Sequence, residues 1–478
     1  NRYPLHIANA RATNKYVSIH SPFSGEIVGE VEKADSAALE QSLQNAESVF
    51  RKAMRNMPAF KRAEILNRVA DQIDDRHEEL SLTIAKEGGK PLKDARVEVT
   101  RASNTTRVCA QEALQLRSGE QISMDRAAGS ENHLAFTMRQ PIGPVLAISA
   151  FNHPLNLMCH QMCTAFAAGN SVVAKPASQT PLSSLKLAQM FDEAGAPSGS
   201  INVVTASGAE TNTLVEDSRV RFITFIGGEN VGWDIRKKAS PGTRIALEHG
   251  GTATALVGSS ASLSKTVPSI IRGAFYHAGQ VCVSTQIVYA HTSLVDELQS
   301  QLISGIKSLK TGDPTDPQTD VGPLISSQDA NRVCDWIKEA VDAGASVHTG
   351  GSLIENNCYL PTLLTNTNKE MKVCSREIFG PALVLKKYTD LNATIEEINL
   401  SPYSFQAAMY TQDIDEAFHT AQQIDTKAFM INDSTAFRVD WMPFAGAKSS
   451  GLGIGGVRYS MLEMSEEKLI VTKLLQSA

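Results

Sequence analysis

Three short segments of the sequence carry residue types that are suited to chemistry at a carbonyl carbon. The segment Ala278–Ser284 holds Cys282 between a predicted helix and a predicted strand. Glu248 and Asn152 each follow an apolar run that reads as a strand. A thiol nucleophile, a carboxylate that activates water and an amide that donates to an oxyanion are the parts that acyl chemistry requires. A lone cysteine is more often an inert core residue, so the indication depends on all three segments.

A glycine-rich turn suggests where a phosphate group would bind. The apolar strand within Arg219–Ile226 runs into Gly227 and Gly228, and residues Asn230–Ala239 suit a helix. Free N–H groups at a helix start, with glycines that allow close approach, favour a pyrophosphate. Many such turns are only tight connections, so this reading stays open from the turn alone. The one GxGxxG pattern, Gly451–Gly456, follows a polar loop and not a strand, so an ordinary Rossmann fingerprint is absent.

Alternating short apolar runs and helical segments must position these residues. This alternation predicts parallel sheets with helices on both faces, in two α/β lobes with a boundary near Gly250–Gly251. The predicted strands are Val145–Ala150, Ser171–Lys175, Ile201–Thr205, Arg221–Ile226, Thr254–Val257 and Gln286–His291. The predicted helices are Asp35–Asn56, Ala59–Ala85, Lys93–Leu114, Ser264–His277, Leu294–Leu309 and Ala330–Ala343, with a break at Gly88–Pro91.

Two segments lie outside these lobes. His133–Gln140 reads as an extended excursion, and the tail Met464–Leu475 has strand character. Such segments either pair with another subunit's sheet edge or pack on their own chain, and the sequence leaves both open.

Composition excludes several classes of protein. The 478 residues carry a formal net charge of −6, which gives no basic footprint for nucleic acid and no polybasic signal for membranes. No run reaches 18 apolar residues, and Asn1–Asn14 lacks a signal-peptide core, so membrane spanning and secretion are not expected. Seven scattered cysteines without metal-ligand spacing predict neither disulfides nor a metal site, and favour a reducing, cytoplasmic setting.

Taken together, the segments resemble the aldehyde dehydrogenase family over nearly the whole chain. The spacing from Glu248 to Cys282 is the family's usual one. Further family motifs occur in the family's order, namely Ser21–Gly25, Glu87–Pro91, Arg139–Pro144, Lys175–Pro181, Glu377–Pro381 and Pro443–Gly453.

The resemblance implies roles for individual residues. Cys282 would be the nucleophile, Glu248 the general base, and Asn152 with the Cys282 backbone N–H the oxyanion hole. Residues matched to the family's NAD or NADP site are Lys175, Ser178, Gly227, Gly228, Gly232, Glu377 and Phe379. Since many NAD-preferring members carry a glutamate where Ser178 stands, NADP should be accepted as well.

The resemblance also implies an architecture. Residues 1–118 and 141–250 would form the NAD(P)-binding domain, and residues 251–440 the catalytic domain. Residues 119–140 and 462–478 would form a β-flap that joins subunits into a homodimer or homotetramer.

The implied reaction is oxidation of an aldehyde to a carboxylic acid through a thiohemiacetal and a thioester. The alternatives are a CoA-acylating relative, which typically lacks the glutamate, a catalytically silent relative, which would lose the cysteine, and a cysteine hydrolase that pairs Cys282 with His277 or His249. His153 after the amide, with the segment Phe437–Pro443, resembles a subgroup that acts on small anionic or hydroxy aldehydes such as phosphonoacetaldehyde or lactaldehyde. The positive charge for such a substrate would come from Arg101, Arg107, His153 and Arg438.

Overall fold

The computed structural model describes residues 1–474, in which strands and helices alternate over most of the length. The strands in chain order are β1 (Arg2–Tyr3), β2 (Tyr16–His20), β3 (Ile27–Glu32), β4 (Gln121–Ile122), β5 (His133–Pro141), β6 (Val145–Ile148), β7 (Val172–Lys175), β8 (Ile201–Val203), β9 (Phe222–Ile226), β10 (Arg244–Glu248), β11 (Ala253–Val257), β12 (Thr285–His291), β13 (Ser346–Thr349), β14 (Thr362–Thr365), β15 (Ala382–Tyr388), β16 (Tyr403–Ser404), β17 (Gln406–Tyr410), β18 (Ala428–Ile431), β19 (Ala447–Lys448), β20 (Gly451–Leu452) and β21 (Ser465–Lys473). The helices are α1 (Ser36–Lys52), α2 (Ala59–Asp75), α3 (His77–Gly88), α4 (Leu92–Ala113), α5 (Asn156–Met158), α6 (Thr164–Ala168), α7 (Leu182–Glu193), α8 (Gly208–Val215), α9 (Glu229–Lys238), α10 (Leu263–Phe275), α11 (Val295–Lys307), α12 (Ser327–Asp342), α13 (Lys372–Ser375), α14 (Leu391–Asn399), α15 (Ile414–Gln423) and α16 (Val457–Glu463). None of the helices in this described part is long and apolar enough to cross a membrane.

A six-stranded sheet holds most of the strands between residues 145 and 248. Its order is β20-β10-β9-β6-β7-β8, and only β20 runs antiparallel to its neighbour. All five residues of β9 are buried, which is typical of a strand with helices on both faces of its sheet. The parallel strands therefore bring the carboxyl ends of β6, β7, β9 and β10 to one edge.

A second sheet, of seven strands, follows between residues 253 and 431. Its order is β13-β14-β15-β12-β11-β17-β18, and β13 is its one antiparallel strand among the described residues. Each of the two sheets has its own large apolar core. The predicted α/β class with two parallel-sheet lobes is confirmed.

The helical start of the chain covers the first sheet, and here one predicted helix is wrong. The predicted helix Ala59–Ala85 is two helices, because Arg76 leaves helical geometry (φ −104°, ψ 22°) between α2 and α3. Apolar spacing continues on both sides of this turn, so periodicity alone does not detect it. The predicted break at Gly88–Pro91 is present, since Gly89 ends α3 with a left-handed φ of 70° and Pro91 precedes α4.

A three-stranded ribbon, β21-β5-β4, forms the flap predicted from the excursion and the tail. β21 pairs antiparallel with β5 over nine residues, so the tail packs on the excursion of its own chain. Both faces of the ribbon expose apolar side chains, which include Phe136, Leu469 and Val471. Residues 475–478 of the predicted flap lie outside the described residues.

Candidate active site

One cavity of about 650 Å³ opens at the carboxyl ends of the strands of the first sheet. It is closed on the other side by the loop before β12. All but two of the predicted site residues line it, namely Arg101, Asn152, His153, Lys175, Ser178, Gly227, Gly228, Glu248, Cys282, Glu377, Phe379 and Arg438. The sheet edge therefore gathers groups that lie far apart in the sequence.

The two exceptions have packing roles. Arg107 does not reach the cavity, because its guanidinium pairs with Asp71 at 2.9 Å and with Asp74 at 2.6 Å on the surface of α2. The expectation that Arg107 contributes charge to the site is therefore wrong. Gly232 lies inside α9, where a side chain would overlap the His249 ring. This glycine admits His249 and does not itself line the cavity.

A strained loop presents Cys282. After α10 ends, His277 and Ala278 both have a positive φ, at 48° and 55°. The fully buried Gln280 holds this loop, since its Oε1 accepts from the Ile325 N–H at 3.0 Å. The backbone carbonyl of Gln280 accepts from Asn152 Nδ2 at 2.9 Å. One residue thus ties the thiol loop to the amide that lies across the cavity.

Burial shifts the thiol and the two carboxyls of the site toward their neutral forms. Burial, with the negative charge of Glu377, raises the pKa of Cys282 to about 12. Burial also raises the pKa of Glu248, which Arg438 partly offsets. At neutral pH Cys282 is therefore mainly a thiol, which must lose its proton before it becomes a nucleophile. The raised pKa makes Glu248 a stronger base than an exposed carboxylate.

The opposite end of the cavity suits a dinucleotide. Gly228 caps α9, and a Cβ added there would meet no atom within 4 Å among the described residues. Lys175 ends β7 in the same wall. Glu377 Oε1 is buried without a hydrogen-bond partner in the described part of the chain, and burial raises the pKa of this carboxyl to about 8. A helix start open to phosphate and an orphaned acceptor that suits ribose hydroxyls fit NAD or NADP.

Two arginines line the other end of the cavity in different electrostatic states. Arg101 donates to both carboxylate oxygens of Asp440, at 3.1 Å and 2.7 Å, so its charge is balanced. Asp440 also accepts from His160 at 2.8 Å. Burial alone would raise the pKa of Asp440, but these donors hold it well below its usual range.

Arg438 has no carboxylate partner at hydrogen-bond distance in the described residues, and its Nη2 lies 3.4 Å from His160 Nε2. Its guanidinium stacks on the Phe444 ring at 3.5 Å, and its buried Nε makes no hydrogen bond within residues 1–474. Burial lowers the pKa of Arg438. A buried N–H without a partner costs free energy, so the Arg438 Nε is available to donate to an anion.

His153 lies in the cavity wall as a neutral group. Burial and the neighbouring Lys90 lower its pKa to about 4. The Lys90 ammonium, 2.8 Å from Nδ1, disfavours a second positive charge on this ring, contrary to the expectation that His153 supplies positive charge.

Comparison with known proteins decides the family. Residues 8–470 match the model of the aldehyde dehydrogenase family. This chain belongs to the aldehyde dehydrogenase family. It is 41% identical over 441 residues to a 3-sulfolactaldehyde dehydrogenase of Priestia aryabhattai, which is 92% of either chain.

Solved structures of aldehyde dehydrogenases share the whole fold. One is aldehyde dehydrogenase 21 of Physcomitrella patens in complex with the reaction product succinate, with a TM-score of 0.96, 32% identity and coverage of 100% of this chain and 99% of that one. Another is an NADP-dependent glyceraldehyde-3-phosphate dehydrogenase of Bacillus halodurans complexed with NADP, with a TM-score of 0.95, 33% identity and coverage of 99% and 100%.

Membership of the family settles the reaction. The protein is an NAD(P)-dependent aldehyde dehydrogenase that oxidises an aldehyde to the acid. The cysteine hydrolase reading is therefore wrong. In the described residues neither His249 nor His277 makes a hydrogen bond with Cys282. His249 Nδ1 donates to the Ser449 carbonyl at 2.9 Å, and both ring nitrogens of His277 are buried without a partner in the described residues.

Sequence reasoning missed the residues that support the site from behind. They are Lys90, Glu98, Asp440 and Gln280, each of which is nearly or fully buried. Lys90 and Gln280 fall within motifs that carry the family resemblance. A motif does not show which site residue each of these side chains contacts. Asp440 stands two positions after Arg438, and no local pattern separates it from a surface carboxylate.

Proposed function

We propose that Cys282 loses its thiol proton to solvent and attacks the aldehyde carbon as a thiolate, with Asn152 Nδ2 and a backbone N–H stabilising the oxyanion. Glu248 accepts the proton of the water that hydrolyses the thioester. The support is that all three side chains line one cavity and that Asn152 is tied to the Cys282 loop. A side chain at Gly455 would overlap Glu248 Oε1, so this glycine leaves room for the carboxylate. The cofactor accepts the hydride when it is bound.

In this proposal Lys175, Ser178, Gly227, Gly228, Glu377 and Phe379 hold NAD or NADP. Gly232 takes part only by admitting His249 beneath the glycine turn. Phe379 is held in the wall by an edge contact with Phe151 at 5.8 Å between ring centroids. Lys175 and Glu377 are the donor and the acceptor for ribose hydroxyls, and the α9 start is the site of the pyrophosphate.

The substrate class that the cavity supports best is a small aldehyde with an anionic end. The observation that carries this is Arg438, a buried cation beside Cys282 and Glu248 whose Nε lacks a partner in the described chain. An anion at Arg438 gains a charge-assisted hydrogen bond that the free enzyme does not satisfy. Arg101 also lines this end of the cavity with the part of its guanidinium that does not contact Asp440. His153 contributes a neutral hydrogen-bond donor. The 41% identical relative is named for a sulfonated aldehyde, which agrees with this proposal.

The test compares 3-sulfolactaldehyde with lactaldehyde, which share a 2-hydroxy aldehyde and differ by the sulfonate. Arg438→Met should lower kcat/KM for the sulfonated aldehyde by about 10- to 150-fold, since a hydrogen bond to a charged group contributes about 1.5–3 kcal/mol. Lactaldehyde should lose much less. Arg101→Met should also lose mainly the sulfonated substrate.

Arg107→Met is the matched control, because Arg107 lies on the same helix as Arg101 and outside the cavity. It should leave both substrates unchanged. Equal wild-type efficiency on the two aldehydes would refute the anionic class and favour a neutral hydroxyaldehyde.

The flap ribbon is the proposed contact with a second copy of this chain. It exposes Leu469 and Val471, at 56% and 47%, on a strand whose outer edge pairs with no other described strand. Leu469→Glu with Val471→Glu should convert an oligomer to a monomer in light scattering. A wild-type enzyme that is already monomeric would refute this proposal.

A further inference from the structure

A fully buried ion pair stands behind the substrate end of the cavity. Lys90 and Glu98 form this pair with no exposed side-chain surface. Lys90 Nζ lies 2.8 Å from Nδ1 of His153, whose ring lines the cavity. The third side of the ammonium faces the Tyr276 ring, with 6.0 Å to its centroid.

The donors and acceptors of this cluster leave one arrangement for the His153 ring. An ammonium group has only donors, so the nitrogen that it contacts must accept. Nδ1 therefore carries no proton, and a neutral imidazole then carries its proton on Nε2. Glu98 Oε2 lies 3.6 Å from Nδ1, which is too long for a hydrogen bond. Glu98 Oε1 is taken by the N–H groups of Leu155 and Asn156 at 3.0 Å and 3.1 Å.

The opposite nitrogen, Nε2, has no hydrogen-bond partner within residues 1–474. We propose that Lys90 is a positioning residue that holds His153 as the Nε2–H tautomer, so that the cavity presents a neutral donor to the oxygen-bearing end of the substrate. The proposal rests on the proposed substrate end. In this proposal two groups bind the substrate at that end, the cation of Arg438 and the uncharged Nε2–H donor of His153.

The groups around His153 keep this donor neutral over the working pH range. Those that face it are Lys90, Glu98, Arg101, His277 and Tyr276, whose ring stacks on His153 at 5.9 Å, and Asp94 is buried near Lys90. Burial, Lys90 and Arg101 lower the pKa of His153, and Glu98 alone works against them. Burial with Lys90 also lowers the pKa of His277, so the second imidazole adds no charge. Binding by the wild type should therefore show no histidine ionisation between about pH 5 and 8.

Replacing Lys90 should raise the pKa of His153 into the neutral range. In Lys90→Met the ring loses its donor and keeps the carboxylate of Glu98 nearby, so His153 should gain a proton in the neutral range. The profile of log kcat/KM for 3-sulfolactaldehyde against pH should then show a new ionisation between about pH 5 and 8. Lys90→Met with Glu98→Gln removes both charges of the pair, and its profile should run parallel to that of the wild type at a reduced level. A purely structural role would lower activity without adding an ionisation.

Substitutions of His153 itself test the donor. His153→Gln places an amide donor near the position of Nε2 and cannot ionise, so it should retain most of the efficiency with a pH profile parallel to that of the wild type. His153→Leu should lose about 2- to 10-fold, the range of one net hydrogen bond.

A direct measurement needs neither a substrate nor catalytic activity. Wild-type enzyme labelled with ¹⁵N-histidine is observed by magic-angle-spinning NMR at pH 7, and the His153→Gln spectrum identifies the His153 signals by difference. A protonated Nε2 with an unprotonated Nδ1 supports the proposal, and an Nδ1–H tautomer or an imidazolium overturns it. If the wild type shows no preference for the sulfonated aldehyde, the substrate class fails, while this spectrum still shows which tautomer His153 adopts beside Lys90.

Discussion

Replacing Glu377 with glutamine should stabilise the cofactor-free enzyme and weaken cofactor binding at the same time. Burial raises the pKa of this carboxyl to about 8 from the ordinary 4.5, and a backbone N–H of Gly251 offsets only part of that effect. Its Oε1 has no hydrogen-bond partner among the described residues. The position of the carboxyl therefore suits a ligand but lowers the free energy of unfolding of the cofactor-free protein.

The size of the effect follows from the two pKa values. The folded pKa lies above the unfolded one, so this group's contribution to the free energy of unfolding is fully present below about pH 4.5 and is lost as pH rises to about 8. Each pH unit in that interval removes about 1.4 kcal/mol. The contribution of Glu377 to the free energy of unfolding is therefore lower by roughly 3 kcal/mol at pH 7 and by up to about 5 kcal/mol at pH 8. Glutamine keeps the shape of the neutral acid and does not titrate.

Thermal melts without cofactor between pH 5 and 8.5 measure this difference. For a chain of this length about 1–2 °C in Tm corresponds to 1 kcal/mol, so Glu377→Gln should gain about 3–8 °C over the wild type as pH rises. The exposed Glu370→Gln is the control and should stay parallel to the wild type. The variant should also need at least about tenfold more cofactor for half-maximal rate. A Tm difference that does not change with pH would show that Glu377 is ionised throughout and would refute the reasoning.

Two further predictions concern deacylation and the cofactor. Glu248→Gln should release at most one NAD(P)H per site in rapid mixing and then turn over about 10²–10⁴-fold more slowly, with an acyl adduct on Cys282 in intact-mass spectra. A missing burst would place Glu248 in an earlier step, and full turnover only with added CoA would restore the acylating alternative. Wild-type enzyme should use NADP⁺ as well as NAD⁺. Ser178→Glu should lower kcat/KM for NADP⁺ far more than kcat/KM for NAD⁺, because the carboxylate repels the 2′-phosphate. Undetectable wild-type activity with NADP⁺ would mean that a residue other than Ser178 sets the choice.

Much of the fold and the site follows from local patterns. Buried parallel strands such as β9 are unbroken apolar runs, which differ clearly from the helical spacing around them. The presence of Cys282, Glu248 and Asn152 in one cavity was predictable, because each stands in a segment of distinctive composition at the end of a predicted element. The cytoplasmic location stays a prediction.

Charge states at the site were not predictable, because they depend on partners far away in the sequence. Arg101 and Arg107 lie on one helix and look alike in sequence, but Asp440 draws one to the cavity and Asp74 holds the other outside. His153 reads as a possible cation until Lys90 is seen beside it. The turn at Arg76 was hidden for a different reason, since neither glycine nor proline marks it.

The pairing of β20 with β10 has a consequence for how this protein is made. Glu248 and Leu247 on β10 pair with Gly451 and Leu452, which are synthesised only after the whole second sheet. On the ribosome, the edge of the first sheet that carries Glu248 thus stays open while most of the chain emerges. An open strand edge is a template for pairing with other chains. Nascent or truncated copies that end before residue 451 should therefore depend on chaperones and aggregate, even though the strands from β6 to β10 are already complete.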